Sequence, residues 1–285
     1  MVAKAEASTE VSPSRSNWVA RHQIAAFLII AFALSWWPWP FTLINPDSTP
    51  IVSFGPVIAA IVVAAAAGGR TYVIALLRAV VHWRFRWSWY AIAVGVPFLI
   101  AGVTGAVVVG LGIVEVTDAG EDFGWSTWVT LPLLFLSTAV VGGALFEEPG
   151  WRGFLLPMLQ REHTALRATA VVGIFWVVWH LPLLISDPTD QRPPFPYTFW
   201  LLALAVLLTW LYNSTGGSVL IAIVFHAAAN TATRIVFEPF VDDDHYLTAW
   251  WLMTALYLLA AGLVIWRTRG QLGHRHHTLA PSATR

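Results

Sequence analysis

Eight long apolar stretches dominate the chain, and they restrict the solvent in which it can fold. A helix needs about 20 mainly apolar residues to cross a bilayer. Of the 285 residues, 57% are hydrophobic and 11% are charged, whereas soluble domains carry about 25% charged residues. The sequence therefore predicts an all-α, polytopic membrane helix bundle with about eight transmembrane helices. The predicted spans are 24–43, 51–68, 89–114, 126–147, 166–185, 199–211, 217–237 and 248–266.

The basic residues predict how these spans are oriented, because Lys and Arg concentrate in cytoplasmic loops. With eight spans and a cytoplasmic N-terminus, only Arg192 and Arg234 of the sixteen basic residues fall outside. Both termini are therefore predicted to be cytoplasmic. Segment 69–87 carries four arginines among apolar residues, which favours a helix lying along the membrane interface.

The predicted domain organisation is one membrane-embedded unit, 21–269, between two polar tails. Segments 1–20 and 270–285 are rich in small and polar residues and cannot bury a core, so we expect them to be disordered. The expected location is multi-pass, in the plasma membrane, with the lipid bilayer as surroundings. Because the basic residues are spread over several loops, we expect no nucleic-acid partner.

Few polar residues lie inside the predicted spans, and ionised side chains cost several kcal/mol at membrane depth. Glu147 and Glu148 end the fourth span, and Glu148 stands four residues before Arg152, a spacing that allows an ion pair on one helix face. His180 lies in the fifth span. Because of this cost, the presence of these residues in or next to the spans needs a physical explanation.

The seventh span adds an imidazole and a carboxamide. His226 and Asn230 are four residues apart and share a helix face. With the other polar residues they could supply what peptide hydrolysis needs, which is an activated water, a stabilised oxyanion and a proton donor. Three alternatives stay open: a polar cluster that only joins helices, a non-catalytic membrane scaffold, and a proton-coupled transporter.

Three motifs in this order resemble those of one protein family. "EEPGWR", "WVVWH" and "HAAAN" match the E-E-x-x-x-R, F-x-x-x-H and H-x-x-x-N motifs of the CAAX prenyl endopeptidase and bacteriocin-processing (CPBP, or Abi) family of intramembrane proteases. "FGP" at 54–56 and "RGFLLPML" at 152–159 are also typical of the family, so the resemblance covers roughly 54–230. The chain departs from the pattern at Trp176, where the family usually has Phe, which alters pocket shape rather than chemistry.

The resemblance implies an intramembrane endopeptidase that cuts a membrane-associated peptide or protein. Glu147 would activate the attacking water, and His180 would help to hold it. The implied site residues are Glu147, Glu148, Arg152, His180, His226 and Asn230.

The resemblance also implies which residues stabilise the oxyanion, and it raises the question whether the reaction uses a metal ion. His226 and Asn230 would stabilise the oxyanion, while Glu148 and Arg152 would organise the site. Family members have been described both as metalloproteases and as glutamate-dependent proteases. The H-E-x-x-H spacing is missing, so we expect a metal-free or weakly metal-dependent glutamate mechanism, with Zn²⁺ as the alternative. Its donors would be Glu147, Glu148, His180 and His226.

Straight helices perpendicular to the membrane would place His180 and Glu147 at different depths. His180 lies 13 residues from Arg167, roughly 20 Å along a helix, whereas Glu147 lies five residues from Arg152, roughly 8 Å. We expect the fourth helix to continue through Pro149, so that Glu147 lies deeper. A tilted fifth helix, or a fifth helix that begins outside the bilayer, remains an alternative.

Overall fold

The computed structural model describes residues 18–112, 125–186, 192–234 and 244–274, with the backbone alone at 125–129. Regular structure in these ranges is entirely helical, which confirms the all-α prediction. A 3₁₀ turn, Trp39–Leu43, follows α2, and a π-helical turn, Trp151–Leu155, joins α6 to α7. The α-helices are α1 Trp18–Arg21, α2 Gln23–Trp36, α3 Gly55–Val80, α4 Ser88–Gly110, α5 Trp125–Val140, α6 Ala144–Gly150, α7 Leu156–Leu159, α8 Ala165–Trp179, α9 Leu181–Ser186, α10 Pro194–Ser214, α11 Val219–Ala232 and α12 Tyr246–Thr268.

Six segments of the described chain are long and apolar enough to cross a membrane, and a seventh is added if one bent pair forms a single span. That pair, Thr130–Val140 and Ala144–Leu159, is bent by 42°. The predicted seventh span, 217–237, corresponds to α11, whose 14 residues are fewer than a perpendicular helix needs to span a bilayer. The protein is thus a multi-pass helical membrane protein, and its described residues hold six or seven such spans where eight were predicted. The six are Gln23–Leu43, Gly55–Val80, Ser88–Gly110, Ala165–Ser186, Pro194–Ser214 and Tyr246–Thr268.

Helix α11 has a central position in the bundle. It packs against α4, α5, α6 and α10, and most of its side chains are buried. Helix α10 is similarly central, and 72% of its apolar stretch is buried inside the bundle. These two helices form the middle of the bundle.

Side-chain caps begin the two helices that carry the histidines. Thr164 precedes α8 and accepts a hydrogen bond from the backbone N–H of Arg167 at 3.4 Å. Ser218 precedes α11, accepts from the N–H of Ile221 at 3.3 Å and donates to the carbonyl oxygen of His82 at 2.6 Å. Such caps satisfy N–H groups that have no partner within the helix.

Helix α3 is broken where the sequence predicts the end of a span. Gly69 has φ 60° and ψ −152°, a conformation that residues with a Cβ rarely adopt. The break separates the apolar half of α3 from the arginine-bearing half, within the segment predicted to lie along the interface. That interfacial placement stays a prediction.

The helix that carries the glutamate pair does continue through Pro149. Helix α6, the π-helical turn and α7 follow one another without interruption from Ala144 to Leu159. Glu147 therefore lies 12 residues before the end of α7, about 18 Å along the helix, close to the distance of His180 from Arg167. Arg152, one of the basic residues counted as cytoplasmic in the predicted topology, lies inside this helix and is fully buried.

The orientation of the termini is open to a direct measurement. We expect reporter fusions at Ala119 and Arg285, both outside the described residues, to report opposite sides of the membrane. The reason is the asymmetric distribution of basic residues, which places the loop at Ala119 outside and both termini inside. This result requires α11 to cross the membrane in addition to the six long segments and the bent pair, so fusions that report the same side would contradict the eight-span topology.

A close contact between α3 and α6 explains why the "FGP" and "EEPGWR" segments meet. A Cβ atom at Gly150 would stand 2.7 Å from the carbonyl carbon and oxygen of Pro56. We expect Gly150→Ala to destabilise the protein by about 1–3 kcal/mol, because extra volume in a packed interface forces the backbone to shift. Thermal unfolding in detergent measures this.

Gly102→Ala is the matched control for that substitution. Gly102 lies in α4, and a Cβ there would meet nothing within 4 Å. Alanine is favoured over glycine by roughly 1 kcal/mol in helices, so this variant should be at least as stable as the wild type. Equal melting temperatures for Gly150→Ala and the wild type would contradict the tight contact.

Candidate active site

A row of buried polar side chains connects α6 to α11. Arg152 Nη1 donates a hydrogen bond to Glu148 Oε1 at 3.0 Å, and His226 Nδ1 lies 2.8 Å from the same oxygen. The side chains of Glu148 and Arg152 are 0% exposed, and that of His226 is 5% exposed. One carboxylate oxygen thus binds a guanidinium and an imidazole, and the i,i+4 ion pair expected from the sequence is present.

The neighbouring carboxylate, Glu147, has a different partner. Its Oε2 accepts a hydrogen bond from the indole Nε1 of Trp176 at 2.7 Å, and the residue is 3% exposed. Its Oε1 lies so close to Gly143 that a Cβ there would overlap it and would also stand 2.9 Å from Ser53 Oγ. Gly143 has φ +91°, so both its backbone and the nearby carboxylate require glycine.

Trp176 lies between most of the site residues. The guanidinium carbon of Arg152 lies 4.4 Å from its ring centroid. The rings of His226 and His180 meet it edge to face, at 5.3 Å and 5.7 Å. Together with the hydrogen bond to Glu147, these contacts give one fully buried side chain four partners in the site.

His180 lies at the junction of α8 and α9. Helix α8 ends beside it because Pro182 has no N–H for the carbonyl of Val178. The Nδ1 of His180 lies 2.8 Å from the carbonyl oxygen of Trp176. A carbonyl only accepts hydrogen bonds, so Nδ1 carries the proton, and in the neutral ring Nε2 keeps its lone pair. His180 can therefore accept a hydrogen bond from a donor such as water.

Asn230 binds the break between α5 and α6. Its Nδ2 donates to the carbonyl oxygen of Gly142 at 3.3 Å, and the side chain is partly buried. An amide nitrogen has two hydrogens, so one remains for a second acceptor. Asn230 is one turn from His226 on α11.

The six predicted site residues therefore lie in three connected groups. Arg152 and His226 both bind Glu148, Glu147 and His180 connect through Trp176, and Asn230 binds the backbone of Gly142. Sequence reasoning missed the indole N–H of Trp176 and the glycine pair 142–143. Three residues, 144–146, separate the glycine pair from the glutamate pair, and adjacent glycines at the end of an apolar run were the available signal. The indole N–H had no sequence signal beyond the replacement of Phe by Trp.

The donor set proposed for Zn²⁺ fits this arrangement poorly. Within the ranges that the structure describes, no group of three or more acidic, histidine or cysteine side chains could hold a metal ion. Oxygens of two of the proposed donors already accept hydrogen bonds, Glu148 from Arg152 and His226, and Glu147 from Trp176.

The fold and this cluster define a class: a multi-pass helical membrane protein with paired glutamates, an arginine and two histidines buried in the bundle. The model of a family described as type II CAAX prenyl endopeptidase Rce1-like matches residues 128–232, which include all six site residues. CAAX prenyl protease 2 of Methanococcus maripaludis is 28% identical over 144 residues. These comparisons confirm the resemblance to the CPBP family of intramembrane proteases. The alignment covers 48% of this chain and 50% of the archaeal protein, so the chain matches about half the length of that relative.

Proposed function

We propose that the protein is an intramembrane endopeptidase that hydrolyses a peptide bond of a membrane-associated peptide or protein, with Glu147 as the general base. The observation that carries the proposal is that two adjacent buried carboxylates have different hydrogen-bond partners. Glu148 is bound by Arg152 and His226, whereas Glu147 is held by the neutral indole of Trp176. The family comparisons, whose relative is named as a CAAX prenyl protease, support the same reaction. The proposed location is the plasma membrane.

In the proposed reaction, Glu147 handles one proton twice. Its carboxylate takes a proton from water as the water oxygen bonds to the carbonyl carbon of the scissile peptide, whose oxygen becomes negative. The proton then passes from Glu147 to the leaving nitrogen as the C–N bond breaks. The products are a carboxylic acid and an amine, and Glu147 returns to the carboxylate. General-base catalysis of this kind contributes about 10²–10⁴-fold.

His180 is suited to hold the water. Its Nδ1 donates to the carbonyl oxygen of Trp176, which fixes the ring orientation and leaves Nε2 as an acceptor. A water that donates one hydrogen to Nε2 and the other to Glu147 directs its oxygen lone pair away from both. Trp176 therefore holds both groups that would bind the water, because its indole N–H donates to Glu147 and its carbonyl oxygen accepts from His180.

His226 and Asn230 are the proposed donors to the oxyanion. His226 uses Nδ1 for Glu148, so donation from Nε2 requires the doubly protonated imidazolium. In that form, the ring's charge would balance the two carboxylates and the guanidinium of the cluster. Asn230 would supply the second hydrogen of its amide. Donors placed in this way in a water-poor site stabilise developing charge strongly.

The test of the proposed function is direct proteolysis by the purified protein in detergent. The substrates are a prenylated C-terminal peptide, a peptide precursor with its leader and a single-span membrane protein, with products read by mass spectrometry. We expect one of these classes to be cut at a defined bond. In parallel, proteomics of a strain with Glu147→Gln should show an uncut membrane-associated peptide that accumulates.

Two results would separate the proposal from its alternatives. A folded wild-type protein that cuts none of the substrates, in a strain where nothing accumulates, would favour the non-catalytic scaffold. Proton-coupled uptake into proteoliposomes, abolished by Glu147→Gln, would favour the transporter. The described polar groups gather at one place rather than along a path, which supports the protease.

A further inference from the structure

We propose that Trp176 is the residue that positions the general base, by fixing the carboxylate of Glu147 through its indole N–H. The inference rests on the proposed function, in which Glu147 takes the proton of water. Trp176 is fully buried, so it acts through Glu147 and does not itself meet the substrate.

The hydrogen bond distinguishes the two oxygens of Glu147. Oε2 receives the indole N–H at 2.7 Å, within the usual range for a donor bound to a charged acceptor. Oε1 lies against Gly143, which has no side chain of its own, on the side where the Ser53 hydroxyl also lies. A carboxylate held at one oxygen cannot rotate freely about its terminal bond, so Oε1 stays available as the base. Without the N–H, the carboxylate would sample several orientations, few of which face the water.

The indole ring also stacks on the positively charged guanidinium of Arg152, which lies close to this carboxylate. Its ring lies against the Arg152 guanidinium, 4.4 Å from centroid to Cζ, which is cation–π geometry. The same side chain thus contacts the ion pair that includes Glu148 and the carboxylate that stays outside that pair. A phenyl ring, which the resemblance leads one to expect at this position, could keep the stacking on Arg152 but has no N–H to donate. The replacement of Phe by Trp therefore changes the chemistry of the site as well as its shape.

The first experiment compares Trp176→Phe with Trp179→Phe in the cleavage assay. Trp179 lies on the same helix, is 1% exposed and has its ring 4.8 Å from that of His180. Its indole N–H has no hydrogen-bond partner among the described residues, so Trp179→Phe reports the packing effect alone. We expect Trp176→Phe to lower kcat by about 10- to 100-fold, the size of one hydrogen bond to a charged group, with KM unchanged. Trp179→Phe should keep kcat close to that of the wild type.

A second variant separates the N–H from the ring. Replacing Trp176 by 3-benzothienylalanine keeps the shape and stacking of the indole but exchanges the N–H for sulfur. Its kcat should fall as far as that of Trp176→Phe. A benzothienyl variant with wild-type kcat would overturn the inference and leave only the stacking on Arg152.

The third measurement tests the contact without substrate. In the ¹⁵N–¹H spectrum of the protein in detergent, the Trp176 indole signal is the one that Trp176→Phe removes. It should move when Glu147→Gln removes the charge of its acceptor. The signal of Trp36, whose indole donates to the carbonyl oxygen of Trp179 at 3.0 Å, should stay in place. A Trp176 signal that does not move would overturn the inference.

The outcomes for the two proposals differ. If the wild type cuts substrate and Trp176→Phe has wild-type kcat, Trp176 does not position the base although the proposed function stands. If the wild type is folded but cuts nothing, the proposed function fails and the catalytic part of the inference fails with it. The indole shift would then still decide whether Trp176 binds Glu147.

Discussion

Replacing Glu147 by glutamine is expected to lower substrate cleavage by about 10²–10⁴-fold, the contribution of a general base, while the fold is retained. The side chain keeps its size, and its amide oxygen can still accept the hydrogen bond that Trp176 donates to the carboxylate at 2.7 Å. What it loses is the ability to take a proton from water. The measurement is kcat/KM for the purified variant in detergent, together with its thermal unfolding.

The control is a glutamate-to-glutamine substitution outside the site. Glu162 lies at the exposed turn after α7, and Glu162→Gln should keep full activity. A fully active Glu147→Gln would contradict the role of Glu147 as base. Loss of wild-type activity in a chelator, restored by Zn²⁺, would instead support the metal alternative, with the two histidines as ligands.

The helical architecture could be predicted because it depends on composition over long windows. Each predicted span has a helix at the same place in the described chain, since apolar runs leave few other stable conformations in a bilayer. The number of spans was less predictable. Hydropathy cannot distinguish a helix that faces lipid from one that is enclosed by protein, and α11 is enclosed.

The depth of the site required information that local sequence does not contain. Pro149 usually indicates a helix end or kink, yet the helix continues through it into a π-helical turn, Trp151–Leu155. Such turns occur mainly within α-helices and often at functional sites. The close approach of Gly150 to Pro56 brings together two segments more than ninety residues apart. Only the structure shows that contact.

That these polar residues would gather was easier to predict than their contacts. Motif spacing singled out Glu147, Glu148 and their partners as candidates, because acidic and imidazole side chains are rare at membrane depth. The spacing could not show that Gly143 accommodates an oxygen of Glu147, or that Trp176 donates to the other. Both contacts depend on side-chain directions, and the second joins different helices.

Replacing Glu148 by glutamine is expected to reduce both stability and activity. Arg152 is 0% exposed and donates to Glu148 at 3.0 Å, so the variant leaves a buried guanidinium without its counter-charge. Loss of one partner of a buried ion pair costs about 3–5 kcal/mol. His226 would also lose the carboxylate that lies 2.8 Å from its Nδ1, which would weaken the proposed oxyanion donor. We therefore expect lower melting temperature, lower protein yield and slower cleavage.

A double-mutant cycle separates these two consequences. Arg152→Met removes the buried cation, and in the double variant Glu148→Gln, Arg152→Met no uncompensated guanidinium remains. The double variant should therefore be more stable than Glu148→Gln, because replacing a whole buried pair by neutral groups is often close to neutral. Its cleavage should stay low, because His226 still lacks its carboxylate. Additive losses of stability would show that the two side chains do not interact, and recovery of cleavage together with stability would show that Glu148 serves the fold alone.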